Sequence, residues 1–184
     1  MILSLGLIPP VNQMSKINQY PKDQIFFPTE IYYSPVSKLV QLGIEVDKEI
    51  LFPKEYPYTS STTKNLRDNF KELSKEVLKN FKITKKDLVI DIGSNDGNLL
   101  SNFKNHSRVL GVTPENIGKI AIKKGIPTIL DYFTSDISKK ILAKYGKAKV
   151  VTATNVFAHI NNVGLIIKSI KKILKSDGIF INES

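Results

Sequence analysis

The stretch Val89-Ile90-Asp91-Ile92-Gly93-Ser94-Asn95-Asp96-Gly97-Asn98 governs how the rest of the chain is read. Its first half closes the continuous apolar run Leu88–Ile92, the pattern of a strand buried on both faces. Its second half passes through two glycines into a helical stretch that starts at Asn98. Gly93 permits a tight turn with close approach of a ligand, and Gly97 lets the start of the helix pack on the strand. Exposed backbone N–H groups in such a turn suit an anion or a carboxylate. The spacing Asp-x-Gly-x-x-x-Gly differs from the full dinucleotide fingerprint, and no Gly-Lys-Ser/Thr follows, so the turn is not a P-loop. A plain strand-to-helix turn is the bland alternative.

Outward from this turn, short apolar runs alternate with helical stretches. Downstream, the pattern predicts a helix over Asn98–Lys104, a strand over Arg108–Val112 and a helix marked by Ile117, Ile120 and Ala121 and closed by Gly125. A strand over Ile126–Leu130, a helix over Ser135–Tyr145 and a strand over Lys149–Thr154 follow. Val163, Ile166, Ile167, Ile170, Ile173 and Leu174 line one helix face, which is expected to stop near Asp177-Gly178, with Ile179–Asn182 opening a fifth strand. Upstream, Leu66, Phe70, Leu73, Val77 and Phe81 mark one face of an amphipathic helix, with Thr62 or Thr63 as its N-cap. Residues 1–60 carry many of the prolines, which break helices and central strands. They read as an irregular arm with short strands near Glu30–Tyr33 and Leu39–Leu42. Strands alternating with helices, at connections too long for hairpins, predict an α/β fold with a doubly wound parallel sheet at 61–184.

The chain has 184 residues, with 27 Lys+Arg against 17 Asp+Glu and a net charge of +10. Hydrophobic residues at 41% exclude simple disorder, and no apolar run reaches the about 20 residues of a spanning helix. The absence of cysteine excludes disulfides, thiolate catalysis and Cys-ligated zinc; two histidines, His106 and His159, exclude a His-rich metal site. The apolar opening lacks a basic n-region and a cleavage site, so a cytoplasmic location is expected. The lysines are dispersed along helices rather than massed, which reads as a solvated surface and not as a nucleic-acid interface.

A doubly wound sheet binds its ligand at the carboxyl ends of its strands, so the strand-end loops hold the candidates. In nucleoside-binding sheets an acidic residue about 20 positions after the first glycine takes the ribose hydroxyls. That count lands on Thr113, followed by Pro114 and Glu115. A threonine offers no bidentate clasp, so a weakened affinity is expected, with Glu115 as the substitute and Thr113→Glu as the change that tightens binding. After the third strand, Asp131 offers a carboxylate to an adenine amino group and Phe133 an aromatic edge; a surface Asp beside core aromatics is the other reading. After the fourth strand, Asn155, Phe157 and His159 stand together. His159 is either a general base or a cap of the following helix bonded to backbone. The segment Tyr56 to Thr63 places hydroxyls before a helix start, either an anion cup or simple capping.

The turn at Asp91–Gly97 resembles the first motif of class I S-adenosylmethionine methyltransferases. Longer words extend the likeness: LSLGLIPPVNQ (3–13), SKLVQLGIEVDKEILFPKEYPYTSSTTKNLRDNF (37–70), DLVIDIGSNDGNLLSNF (87–103), VLGVTPENIGKIAIKKGIPTI (109–129) and GKAKVVTATNVFAHI (146–160). Together they resemble the nucleotide-sugar C-methyltransferases of deoxysugar pathways. The resemblance implies a Rossmann-like class I methyltransferase fold behind a zinc-binding arm, and transfer of a methyl group from S-adenosylmethionine to a carbon of a nucleotide-linked keto-sugar. It implies that Gly93, Ser94, Asn95 and Gly97, led by Asp91, hold the methionine part of the cofactor. Thr113 and Pro114 would face the ribose, Asp131 and Phe133 the adenine, and Phe157 the cofactor. Asn155 and His159 would face the reacting centre, and Tyr58 would close the pocket on the substrate.

Three departures qualify it. Where the family carries Cys-x-x-Cys the chain reads Ser34-Pro35-Val36-Ser37, so no zinc is expected, Ser34 and Ser37 being poor ligands. Thr113 stands where the family has Glu. The sheet is expected to stop after about its fifth strand, where the family continues into a further domain. The alternative function is therefore a non-catalytic cofactor- or sugar-binding remnant, or one half of a split enzyme completed by a second chain. An unfinished sheet leaves an edge strand, which favours self-association.

Overall fold

The structure, a computed structural model, describes residues 1–12, 17–18 and 24–183 and divides into two units, Met1–Pro53 and Lys54–Ser184. The expected division at 60/61 assigns residues 54–60 to the arm; they belong with the second unit. Asn116 N–H donates to the Lys54 carbonyl at 2.7 Å, and the Ser60 N–H to the Asn95 side chain at 2.9 Å.

The first unit is more regular than its prolines suggest. Strands Leu3–Ile8 (β1), Phe27–Tyr33 (β2) and Val40–Leu42 (β3) form an antiparallel sheet in that order, followed by one helical turn, Lys48–Leu51 (α1), capped by Asp47. The register sets Leu3 opposite Ile31, Ile31 opposite Leu42 and Tyr33 opposite Val40, so these five share one face. Ser4, Glu30, Tyr32 and Gln41 share the other. β1 is an element that the arm reading omits. Its register shifts between Ser4 and Leu7, around Gly6 at φ 76°.

The second unit opens with Lys64–Asn80 (α2), whose N-cap is Thr63. It then alternates Leu88–Ile92 (β4), Asn98–Ser101 (α3), Arg108–Val112 (β5), Gly118–Lys123 (α4), Thr128–Ile129 (β6), Ser135–Tyr145 (α5), Ala148–Thr154 (β7), Val163–Ile173 (α6) and Leu174–Glu183 (β8). The five strands pair parallel in the order β6-β5-β4-β7-β8. β4 is central, and every residue of it is buried. Its period of two divides the core. Leu88, Ile90 and Ile92 pack with Ile137 and Ile141 of α5 and Ile170 and Ile173 of α6. Val89 packs on the opposite face with Phe70 and Val77 of α2, Leu99 and Leu100 of α3 and Ala121 of α4.

Several expected boundaries move: the strand expected over Ile126–Leu130 covers Thr128–Ile129 alone, and the one expected to open at Ile179 opens at Leu174. The helix after Ser94-Asn95 ends at Ser101 rather than Lys104, as Asn102 turns its side chain back to the Asn98 carbonyl at 3.2 Å. The helix from Val163 ends at Ile173 rather than near Asp177. Leu174 already pairs with Ala148, and the ladder to β7 takes over the backbone groups that a longer helix would use.

An ion pair anchors that last strand. Lys175 contacts the Asp87 carboxylate just ahead of β4, and the Thr84 N–H and hydroxyl donate to it at 2.9 and 2.8 Å. Lys175, aided by Thr84 and opposed by burial, holds the Asp87 carboxyl down at about 2, against 3.8 ordinarily. The folded value lies below the unfolded one, so this stability is present above the unfolded value and is lost as pH falls through the folded one. With Lys175 partly exposed, it amounts to about 1–2 kcal/mol. Urea unfolding between pH 2 and 5 is expected to show this acid limb, and Lys175→Ala to flatten it.

Candidate functional site

The strand order places the selected residues along one rim. Asp131 follows β6, Thr113 follows β5, the Gly93–Gly97 turn follows β4 and Asn155 follows β7, all at carboxyl ends. The chain runs from β4 to β5 on one side and returns to β7 on the other, so the strand order reverses at this turn.

The turn is held from beneath and from above. Gly93 N–H and Ser94 N–H both donate to the Val112 carbonyl, at 2.8 and 3.1 Å, which ties the turn to the end of β5. Gly93 adopts φ 74°, and a Cβ there would lie 2.4 Å from a methyl of Val156. A side chain at 93 therefore meets both backbone strain and a neighbour. Ser94 Oγ is buried with no hydrogen-bond partner among the described residues. Below the turn, Asp91 is buried and accepts from the Thr152 hydroxyl at 2.7 Å. Burial outweighs that bond and pushes the Asp91 carboxyl up to about 7.

Above the turn lies the segment 58–61. Asn95, itself left-handed at φ 49°, accepts from Ser60 N–H and donates to the Tyr58 carbonyl at 3.1 Å. Asn98 donates to the Ser60 carbonyl at 3.2 Å. The Ser60 and Ser61 hydroxyls donate to Asp96, the first at 2.6 Å, and Lys124 pairs with the same carboxylate at 3.1 Å. Burial works against the Asp96 charge, but these three donors together hold its carboxyl below the ordinary range. This corrects the anion-cup reading of the segment: those serine hydroxyls face a protein carboxylate. The Tyr58 side chain remains exposed. Asp96 is the organising residue here, and nothing local in the sequence marks it out.

At the end of β5, Thr113 and Glu115 are both buried, and the Thr113 hydroxyl donates to the Glu115 carboxylate. Burial, only partly offset by Thr113, raises the Glu115 carboxyl above its ordinary value. Pro114 between them is half-buried. Past β6, Asp131 is exposed and accepts from the Tyr132 N–H at 2.8 Å, whereas Phe133 packs into the core cluster with Ile137. Past β7, Asn155 is exposed at φ 56°, and its N–H donates to the Glu183 carbonyl at 2.7 Å. Phe157 and His159 lie in one 3-10 turn; the Phe157 ring packs on Phe180 at 5.3 Å, and the exposed His159 donates its N–H to the Val156 carbonyl. The cap of α6 is Asn162, which accepts from Leu165 N–H at 3.0 Å, so His159 does not serve that purpose. Among the described residues no group of three or more His, Cys, Asp or Glu is placed to hold a metal ion, and no helix is long and apolar enough to cross a membrane.

A doubly wound parallel sheet with a glycine turn at its central strand defines a Rossmann-like fold. Residues 65–183 match the methyltransferase domain family, and the chain belongs to that family. It is 26% identical over 184 residues to the C-methyltransferase NovU of Streptomyces niveus; the match takes in 99% of this chain and 44% of that protein. The chain thus spans less than half the length of this curated relative. Among solved structures, a Methanococcus maripaludis protein described as an S-adenosyl-L-methionine-dependent methyltransferase superposes with a TM-score of 0.51, at 16% identity, over 77% of this chain and 68% of that one. The plantazolicin methyltransferase BpumL, solved with a pentazolic desmethylPZN analogue and SAH, gives 0.52 at 15% identity, over 66% of this chain and 48% of that one. These two likenesses are likenesses of fold.

Proposed function

We propose that the rim formed by β4, β5, β6 and β7 binds S-adenosylmethionine, and that the protein serves methyl transfer to a carbon of a nucleotide-linked keto-sugar. The observation that carries the cofactor reading is the Gly93–Gly97 turn, whose backbone is drawn onto Val112 and leaves no room for a side chain at 93. The residues present fit the cofactor. Gly93, Ser94 and Asn95 suit its amino-acid part, the carboxylate at the end of β5 suits ribose hydroxyls, and Asp131 suits the adenine amino group. When bound, the cofactor supplies an electrophilic methyl group. His159 is assigned as the base that takes the proton next to the sugar ketone, and Asn155 as the group that orients the enolate oxygen. Tyr58 closes the site on the substrate side. The likeness to a C-methyltransferase supports the carbon-methylating part of this reading. The outer edge of β8, unpaired among the described residues, is available to a second copy or a complementing chain.

Calorimetric titration with S-adenosylhomocysteine tests the cofactor site. One-to-one binding is expected, with Gly93→Arg weakening it at least about 100-fold. Equal binding by the folded variant would remove the turn from the site. Binding without turnover on keto-sugar nucleotides would favour the non-catalytic reading.

A further inference from the structure

We infer that a second binding site, for a small organic phosphate, lies at the edge of the large sheet opposite the proposed cofactor rim. A recess of about 400 Å³ opens there, at the amino ends of the strands. Leu88 begins β4, Arg108 begins β5 and Pro127 stands directly before β6, and all three line it. Lys104, Gly125 and Tyr145 line it as well. The inference is independent of the cofactor reading, which concerns the carboxyl ends of the same strands.

Among the described residues, two cations and no carboxylate line the recess, and neither Lys104 nor Arg108 enters an ion pair. Asp87, the residue before β4, has its carboxylate taken by Lys175 and Thr84. Both cations are nevertheless held in place. The Lys104 ammonium donates to the Lys124 carbonyl at the end of α4, at 3.2 Å, and the Arg108 guanidinium to the Tyr145 carbonyl at the end of α5, at 3.0 Å. These contacts offset the partial negative charge of the two helix ends. Each cation spends one N–H on its carbonyl; an ammonium has three and a guanidinium five, so both keep donors for a ligand. Anchoring to backbone also removes part of the ordering cost that a free surface side chain meets on binding. A third cation stands at the same wall, with the Lys144 ammonium 5.3 Å from the centre of the Tyr145 ring.

Phosphate suits this arrangement because it accepts two parallel hydrogen bonds from one guanidinium. The recess exceeds a phosphate group and has the size of a small-molecule site. The rest of the wall named here is uncharged. Gly125 leaves open space, since a Cβ there would meet nothing within 4 Å, and Pro127 and the half-buried Tyr145 offer apolar surface. An uncharged organic body attached to the phosphate fits that side.

The test titrates the full chain with ribose 5-phosphate, uridine 5′-monophosphate and inorganic phosphate, by calorimetry and by amide shift mapping in NMR. Saturable one-to-one binding of at least one ester is expected, about 10-fold tighter than inorganic phosphate. The tighter of the two esters tells a sugar phosphate from a nucleotide. Amide shifts are expected to cluster at 104–109, 125–127 and 145. Arg108→Gln is expected to weaken the ester at least about 10-fold and Lys104→Gln by a smaller factor. Lys71→Gln on α2 removes the same charge outside the recess and is expected to leave binding unchanged. An equal loss in Lys71→Gln would mean a general charge effect and overturn the inference. Shifts confined to the glycine turn, inorganic phosphate binding as tightly as both esters, or no binding of either ester by the folded chain would overturn it too. Should Arg108→Gln fail to fold, Lys104→Gln and the shift map of the unaltered protein decide.

Discussion

Raising the pH from 5 to 8 is expected to lower the free energy of unfolding by about 2–4 kcal/mol, with Asp91→Asn removing most of that slope. Asp91 lies on the central strand, 2% exposed, with the Thr152 hydroxyl as its donor and no ion pair among the described residues. Burial disfavours its charged form and pushes the carboxyl from 3.8 to about 7. The folded state therefore keeps a proton that the unfolded chain releases. Stability is full below the unfolded value and declines as pH rises through the folded one, the opposite sign from the Asp87 limb and in a separate window. Glu115, also raised by burial, adds to the same slope and accounts for what Asp91→Asn leaves behind. Urea unfolding in steps across this range reads the effect; a flat profile in the unaltered protein would exclude a buried neutral Asp91.

Gly97→Ala is expected to lower the unfolding temperature by about 5–15 °C. Gly97 precedes α3 at φ 78°, where an L side chain costs about 1–2 kcal/mol. Its Cβ would fall 2.8 Å from Ile126 Cδ1 and 2.9 Å from the Ala121 Cβ, both from fully buried residues, which adds about 1–3 kcal/mol of overpacking. Gly125→Ala isolates the backbone contribution, since Gly125 has a similar φ of 77° and nothing within 4 Å of the added carbon. Differential scanning calorimetry of the pair is expected to place Gly97→Ala well below Gly125→Ala. Equal shifts would mean that the helix start has room to give.

The parts of the fold legible in the sequence are those where a short-range pattern and the tertiary structure ask for the same thing. β4 and β5 run over the predicted Leu88–Ile92 and Arg108–Val112 because an apolar run buried on both faces has no other regular solution, and α5 fills Ser135–Tyr145 between Thr134 as N-cap and Gly146 at φ 81°. β1 is fixed by its pairing with β2, in which Leu3 meets Ile31, a partner that no local pattern supplies. α6 ends at Ile173 although Leu174 continues its apolar face, because Leu174 pairs with Ala148. Within the candidate site, the glycine turn was legible from Gly93 and Gly97, whose positions between strand and helix are local. The role of Asp96 was not, because its donor Ser60 lies 36 residues away. Nor was the effect of Thr113→Glu. The sequence favours that change as restoring a missing acid, yet it would set a second carboxylate against the buried Glu115.

The order β6-β5-β4-β7-β8 also fixes a sequence of events during synthesis. The ribosome delivers the central strand first, then the two strands on one flank, and only afterwards the two on the other. Until residues 148–154 emerge, β4 is an edge strand and its carboxylate at Asp91 lacks the hydroxyl of Thr152. The nascent half-sheet thus carries the glycine turn already tied to Val112 while one flank of the strand behind it is still open to water. Docking of β7 is the event that turns a wet edge into a dry centre, and it arrives from more than fifty residues downstream. Non-local pairing of this kind is slow and leaves strand edges exposed in the interval.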